Sequence, residues 1–303
     1  MKQTFQTYEE VYKEGMARLE AAGIEEAALD ARLLLEFVCG TDRNTLLAHG
    51  DREVSGAEYE RYSGLIERRA AHVPLQHLTE EQEFMGLTFL VNEDVLVPRQ
   101  DTEVLVEEVM KNLHDGMRIL DMCTGSGCIL LSLLHYSNDC EGVGADLSAQ
   151  ALAVARVNYE KLRMARPKME ARFVEGDLFE ALVGNGIEPD GSGKEAHLGE
   201  KFDIIVSNPP YIETDVISTL MPEVREHEPL TALDGGMDGL VFYRRIAKEA
   251  GNYLNGGGML YFEIGCEQAD YVEEIMEQAG FREIEVVKDF AGLDRVVYGS
   301  WFG

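Results

Sequence analysis

Five consecutive residues, Ser207-Asn208-Pro209-Pro210-Tyr211, have the types and spacing that chemistry on a planar amino group requires. They follow the apolar run Phe202-Asp203-Ile204-Ile205-Val206, which reads as a buried strand. Two adjacent prolines remove two backbone donors, fix φ twice and push the residue before each into extended geometry. The turn is therefore stiff, and neither a helix nor a ladder is expected to take up its carbonyls. Such a turn can hold the Asn208 amide and the Pro209 carbonyl as neighbouring acceptors, with the Tyr211 ring close by. That geometry suits gripping an –NH2 group by its two hydrogens. For the bare tetrapeptide, the competing reading is a strand-ending turn with a packed tyrosine.

A second set of residues suits a ligand of the opposite charge. Asp121-Met122-Cys123-Thr124-Gly125-Ser126-Gly127 lies between an expected strand and an expected helix. Small residues there admit a ligand to the backbone, and the free amides of a helix start can donate. A full G-x-G-x-x-G and a Walker lysine are both missing, so pyrophosphate and triphosphate are poorly supported. Asp121, just before the turn, suits a cation. Asp146, with Leu147 beside it, ends the second strand, where an acid typically takes a ribose diol. Asp177 ends the third strand and can accept from an adenine amino group, with Leu178 packed on the ring. Three acids at successive strand ends match a nucleoside that carries positive charge, and S-adenosylmethionine fits that description.

Composition narrows the partner. The 303 residues carry 56 acidic against 27 basic side chains, a formal net charge of −29. Gripping nucleic acid through phosphates needs a basic surface. A protein or a small molecule is the expected partner, and the acidity either steers in a basic partner or serves solubility. Five cysteines, odd in number and without a C-x2-C pair, argue against a disulfide framework and favour a reducing cytoplasm. The seven histidines show no ligand spacing, so no metal is expected. No apolar run reaches spanning length, and the polar, acidic Met1–Glu10 is not a secretory signal.

The elements that must position these residues can be read in order. Residues 1 to about 75 are helical, with capping boxes at Thr7/Glu10 and Ser55/Glu58 and a stop near Cys39-Gly40. Phe84–Val91 and Val95–Val97, punctuated by Gly86 and Asn92-Glu93-Asp94, read as a β-hairpin between domains. Either Asp101 or Thr102 caps the helix that follows Pro98. From Met117 onward strands and helices alternate, which predicts an α/β fold with a mostly parallel sheet. Glu283–Lys288 and Asp294–Trp301 read as an antiparallel pair at its edge. Gly184–Lys201 reads as a surface loop without chemistry, and Ile212–Asp238 as a flap over the site.

On these residues the chain resembles a known family. Asp121 to Gly127, Asp146 and Asp177 are similar to the motifs of class I S-adenosylmethionine-dependent methyltransferases, with a Rossmann-like sheet. The Asn-Pro-Pro-Tyr resembles that of the amino-group methyltransferases among them. Pro98-Arg99-Gln100-Asp101-Thr102-Glu103, the helical N-terminus and the hairpin resemble the HemK/PrmC family. That family methylates the glutamine of the Gly-Gly-Gln motif in peptide chain release factors.

The resemblance implies a substrate-recognition domain at 1–75, a hairpin linker at 76–97 and a methyltransferase domain at 98–303. S-adenosylmethionine would lie on Asp121, Cys123 to Gly127, Asp146, Leu147, Asp177, Leu178 and Asn208. The acceptor glutamine would lie on Asn208, Pro209, Pro210 and Tyr211, with Asn208, Pro209 and Tyr211 carrying the catalysis. Arg99 and Glu103 either position the substrate loop or staple the helix start, and Phe84 and Tyr243 pack near the acceptor. Cys123 and Glu80 stand where glycine is common, and Leu178 where an aromatic is frequent. Two other classes remain in play: an amino-group methyltransferase acting on DNA or RNA, which the −29 charge opposes, and a non-catalytic cofactor-binding scaffold, which the intact turn opposes.

Overall fold

Both capping boxes close where their spacing predicts. Thr7 and Glu10 exchange hydrogen bonds at the start of one helix, and Ser55 and Glu58 at the start of another. The structure, a computed structural model, describes residues 6–183 and 199–303. Met1–Glu81 with Met221–His227 form one compact unit, and Gln82–Leu220 with Glu228–Gly303 form a second.

In the first unit a short pair, β1 (Gln6–Thr7) and β2 (Glu53–Val54), accompanies five helices: α1 (Tyr8–Ala21), α2 (Ala27–Cys39), α3 (Arg43–Ala48), α4 (Gly56–Ala70) and α5 (Leu75–Thr79). Helix α2 ends on Gly40 in the left-handed region, the usual C-terminal stop. Apolar faces of α1, α2 and α4 meet in one cluster that includes Val11, Leu34 and Ile66. At its margin Arg69 Nε donates to Asp30 Oδ2 at 2.7 Å, and its Nη2 pairs with Glu223. Helix α5 ends on Glu80, whose φ of +59° is a conformation glycine adopts without strain.

The second unit opens with a hairpin that differs from expectation. Strands β3 (Glu81–Phe84) and β4 (Leu87–Leu90) pair around Met85-Gly86, where both φ values are positive, at +52° and +69°. Two-residue hairpin turns that match strand twist need that geometry. Val95 and Val97 are buried but belong to no strand. Asn92 accepts from Asp94 N and starts a turn instead, and the Val97 N–H goes to Glu228 Oε1 at 3.2 Å. The next helix, α6 (Asp101–Asn112), also departs from expectation, since neither Asp101 nor Thr102 caps it. Backbone carbonyls of Arg99 and Gln100 take the first amides, because Gln100 is already helical.

Strands β5 (Arg118–Met122), β6 (Glu141–Asp146), β7 (Glu170–Glu175), β8 (Phe202–Ser207), β9 (Leu254–Glu263), β10 (Arg282–Lys288) and β11 (Asp294–Trp301) form one sheet. Its order is β10-β11-β9-β8-β5-β6-β7. The pairs from β9 to β7 are parallel, and β11 lies antiparallel to both β9 and β10, as the alternation and the final pair predict. Order reverses between β5 and β8, so a crevice opens at their carboxyl ends.

Alternate residues feed two cores. Ile119, Ile204 and Val206 join one apolar cluster, and Leu120, Ile205 and Phe262 the other. The first is covered by α6, α7 (Cys128–Tyr136) and α8 (Ala149–Ala165), the second by α9 (Glu180–Val183) and helices further along the chain.

The stretch read as one flap is divided. After a 3-10 turn at Ile217–Thr219, α10 (Pro222–His227) falls in the first unit, where Arg69 pairs with Glu223 and His227 Nε2 lies 3.2 Å from the Ala71 carbonyl. The chain is back in the second unit at Glu228, followed by α11 (Leu230–Leu233), α12 (Val241–Ala250) and α13 (Ala269–Ala279). Most of the loop expected at Gly184–Lys201, residues 184–198, lies outside the described residues. Among the described residues no helix is long and apolar enough to cross a membrane.

Candidate active site

A cavity of about 360 Å³ opens where β5, β6 and β8 end. Its wall includes Cys123 to Ser126, Asp146, Leu147, Asp177, Leu178, Asn208 and Pro210. Residues read from four separate stretches of sequence therefore converge because parallel strands deliver their ends to one edge.

The cofactor turn is held by its neighbours. Gly125 N donates to Asp146 Oδ2 at 2.8 Å, and Ser148 N to Asp146 Oδ1 at 2.9 Å. Burial nevertheless raises Asp146 above the ordinary carboxylate range, against those backbone bonds. Asp121 does not line the cavity. It lies fully buried beneath it, with Thr124 Oγ1 donating to its Oδ2 at 2.6 Å and its Oδ1 without a hydrogen-bond partner. Burial pushes Asp121 up to about 7. Asp177 Oδ2 accepts from Arg245 Nη2 at 2.8 Å, a pairing the sequence reading did not include.

Asn208 borders the cavity at the end of β8, and its Nδ2 lies 3.5 Å from Thr102 Oγ1, at the long limit of a hydrogen bond. No hydrogen bond among the described residues takes up the Pro209 carbonyl. Ser207 Oγ donates to the Met122 carbonyl at 2.7 Å and ties the end of β8 to that of β5. Pro209 and Tyr211 are not in the cavity wall, and Tyr211 packs on the second core. Burial raises the Tyr211 phenol to about 12, so it is neutral at physiological pH.

Residues outside the motif hold this turn. Gln268 Nε2 donates to the Tyr211 carbonyl at 3.0 Å and its Oε1 accepts from Gly265 N at 3.0 Å. Gly235 is required by closeness: a Cβ there would lie 2.7 Å from Tyr211 Cα and 2.9 Å from the Pro210 carbonyl oxygen.

Arg99 lines the cavity, and its Nη2 lies 2.8 Å from both oxygens of the buried Glu228. It therefore holds the start of the segment that carries Pro229, Thr231 and Ala232 into the wall. Glu103 does not line the cavity; its Oε1 accepts from Met85 N at 2.6 Å and secures the hairpin turn. Phe84 and Tyr243 are buried in the two cores and not at the wall. Phe242, one residue before Tyr243 on α12, lines it instead.

Comparison with known proteins decides the family. Residues 10–79 match the family described as PrmC N-terminal domain, and residues 99–224 the methyltransferase small domain. The release factor glutamine methyltransferase of Clostridium acetobutylicum is 42% identical over 271 residues, covering 88% of this chain and 89% of that one. That of Caulobacter vibrioides is 41% identical over 284 residues, covering 93% and 92%. The chain belongs to the release factor glutamine methyltransferase family. A methyltransferase from Pyrococcus furiosus has the same fold at a TM-score of 0.53, with 18% identity over 78% of this chain and 99% of that one.

Within the release factor glutamine methyltransferase family the cofactor is S-adenosylmethionine, and the residues present fit it. Asp94, Asp146 and Asp177 line the cavity, against a single basic residue in the wall, Arg99. Beneath it Asp121 keeps an unpartnered, buried oxygen. That charge balance suits a sulfonium and opposes a nucleotide phosphate. The departures from the family pattern now have a geometry. Cys123 has φ +63° and Glu80 +59°, both left-handed, which is where glycine would be unstrained; Leu178, in place of an aromatic, has φ +52°.

A buried residue that the sequence reading missed braces the cofactor turn. Asn158 on α8 donates through Nδ2 to the carbonyls of Ser126 and Leu90 at 2.9 and 3.0 Å and accepts from Leu90 N at 2.7 Å. An asparagine on the inner face of an amphipathic helix was the available signal.

Proposed function

We propose that this protein transfers a methyl group from S-adenosylmethionine to the side-chain amide nitrogen of the glutamine in the Gly-Gly-Gln motif of peptide chain release factors. The observation that carries this reading is the placement of Asn208 and Pro210 in the wall of the same cavity as the acids that suit the cofactor.

When bound, the cofactor supplies an electrophilic methyl group on a positively charged sulfur. The chain's own residues do the rest. Asp146 is placed to take the ribose hydroxyls while its oxygens keep their bonds to the backbone of Gly125 and Ser148. Asp177 and Leu178 border the place of the adenine, and Asp121 adds negative charge below. Asn208 Oδ1 and the Pro209 carbonyl accept the two N–H groups of the glutamine amide. An amide nitrogen is a weak nucleophile because its lone pair is delocalised. As it bonds to carbon it becomes more positive, and both hydrogen bonds strengthen at that moment. The nitrogen–carbon bond would form as the carbon–sulfur bond breaks, so that the sulfur leaves as a neutral thioether, and one of the two protons passes to solvent to restore a neutral amide. Pro210 and the packed Tyr211 keep the turn from yielding, so alignment costs little entropy.

The −29 charge supports a protein substrate with a basic surface over nucleic acid. Five free cysteines support a cytoplasmic location. The 1–75 helical region is assigned to recognition of the release factor. Labelled S-adenosylmethionine, the purified protein and a purified release factor test the proposal. Label should enter the release factor, vanish when its motif glutamine is changed, and fall to near background with Asn208→Ala while cofactor binding persists. Near-normal methylation by Asn208→Ala would reject the assigned role.

A further inference from the structure

An asparagine side chain has an oxygen and a nitrogen at equal reach, and only the oxygen can accept from an amino group. The role proposed above for Asn208, on which this inference rests, therefore requires something that selects one of two flips.

The neighbours of Asn208 supply a selector. Its Nδ2 faces Thr102 Oγ1 at 3.5 Å. Thr102 is buried on α6 and borders the cavity. Glu263, 2% exposed at the end of β9, shares this environment, and the Thr102 hydroxyl and the Asn208 amide both favour its ionised form. Its Oε2 has no hydrogen-bond partner. Other groups share this environment. Arg295 on β11 and Asp101 on α6 act on the Glu263 charge in opposite directions. Burial raises the phenols of Tyr211 and Tyr243 and the Cys128 thiol, and the Glu263 charge adds to each shift.

An ionised carboxylate can only accept. Next to it the Thr102 hydroxyl must donate, which leaves Thr102 Oγ1 as an acceptor. The group that Asn208 can offer to both is Nδ2, so Oδ1 is turned the other way. We propose that Glu263 is a positioning residue that, through Thr102, locks the Asn208 amide with Oδ1 towards the acceptor nitrogen. A protonated Glu263 can donate to Thr102, and the selection is lost. Burial brings Glu263 up to about 7, so the lock loosens as pH falls through neutrality.

The test compares Glu263→Gln, Thr102→Val and Thr102→Ser with the unmodified protein in methyl transfer to a purified release factor. Glutamine keeps the shape of Glu263 but can donate, so kcat should fall roughly tenfold or more, with KM for both substrates within about twofold. The acid limb of the kcat profile near pH 7 should disappear in the same variant. Thr102→Val should lose turnover to a similar extent, and Thr102→Ser should restore it. Full kcat with an unchanged acid limb in Glu263→Gln overturns the inference, as does a loss of turnover that merely follows a lowered Tm or lost cofactor binding. If Glu263→Gln does not fold, the valine and serine variants decide alone. Asn208→Ala run alongside separates the two readings: unimpaired turnover there defeats the role of Asn208 itself, whereas loss there with full activity in Glu263→Gln defeats only the lock.

Discussion

Gln268 holds the Tyr211 carbonyl at 3.0 Å, although they lie 57 residues apart in sequence. The same side chain reaches the Gly239 carbonyl and takes the Gly265 amide, so one amide group joins the proline turn to the end of β9. Gln268→Ala removes these bonds and leaves partly buried backbone groups unpaired, at a cost of about 1–3 kcal/mol. The expected outcome is a fall in kcat of roughly tenfold or more, because the turn is freed, while cofactor affinity by calorimetry is little changed. Equal loss of cofactor affinity would show that Gln268 supports the whole crevice.

Gly235 backs the same turn from the other side. Adding a Cβ drives it into Tyr211 Cα and the Pro210 carbonyl, and neither can move without shifting the prolines. Gly235→Ala should lower turnover more than it lowers Tm. A variant with native turnover would show that the turn tolerates displacement.

Burial of Asp121 has a consequence for pH. Its folded value, raised from 3.8 to about 7, means that the native state holds a proton the unfolded chain has released. Between those values the folded protein binds more protons, so stability falls as pH rises from about 4 to about 7. Glu263, raised from 4.5 to about 7, acts with the same sign. The Tm of Asp121→Asn should therefore depend less on pH across this window. Ionised Asp121 attracts a sulfonium, so S-adenosylmethionine should bind more weakly as pH drops below about 7. The demethylated product, whose sulfur is neutral, should show little of that dependence. Parallel pH dependences for both ligands, followed by calorimetry, would contradict the charge argument.

Cys123 occupies a left-handed position at φ +63°. An L-residue pays about 1–2 kcal/mol there, partly offset by the entropy of the unfolded glycine that would replace it, about 0.5–1 kcal/mol. Cys123→Gly should raise Tm by about 1–3 °C, and the β-branched Cys123→Val should lower it. A drop in Tm with glycine would mean that the packing of the thiol outweighs the strain.

In the first unit, Arg69 is buried between Asp30 and Glu223. Arg69→Ala strands a buried carboxylate and should cost about 3–5 kcal/mol, read as a lower denaturation midpoint. Arg69→Met, which preserves volume without charge, should cost as much as long as Asp30 remains. A double change of Arg69 to Met and Asp30 to Leu should recover part of the loss.

Local sequence determined the parts whose physics is local. Capping boxes at Thr7 and Ser55, the αL stop at Gly40 and the buried strand that runs into the two prolines all depend on neighbours a few residues away, and they are found at the predicted positions. The three acids at strand ends were legible for the same reason, because a parallel sheet sends every carboxyl end to one edge. Tertiary structure alone decided which way side chains near that edge turn. Glu103 faces the hairpin and not the cavity, Phe242 lines the wall where Tyr243 packs in the core, and Arg99 is committed to Glu228, 129 residues later. It also decided the supports, Gln268, Gly235 and Asn158, whose partners are 57, 24 and 68 residues away or in the facing backbone. A hydrogen bond across such a separation leaves no periodic trace in the chain, since it is set by where two elements cross and not by how either is built.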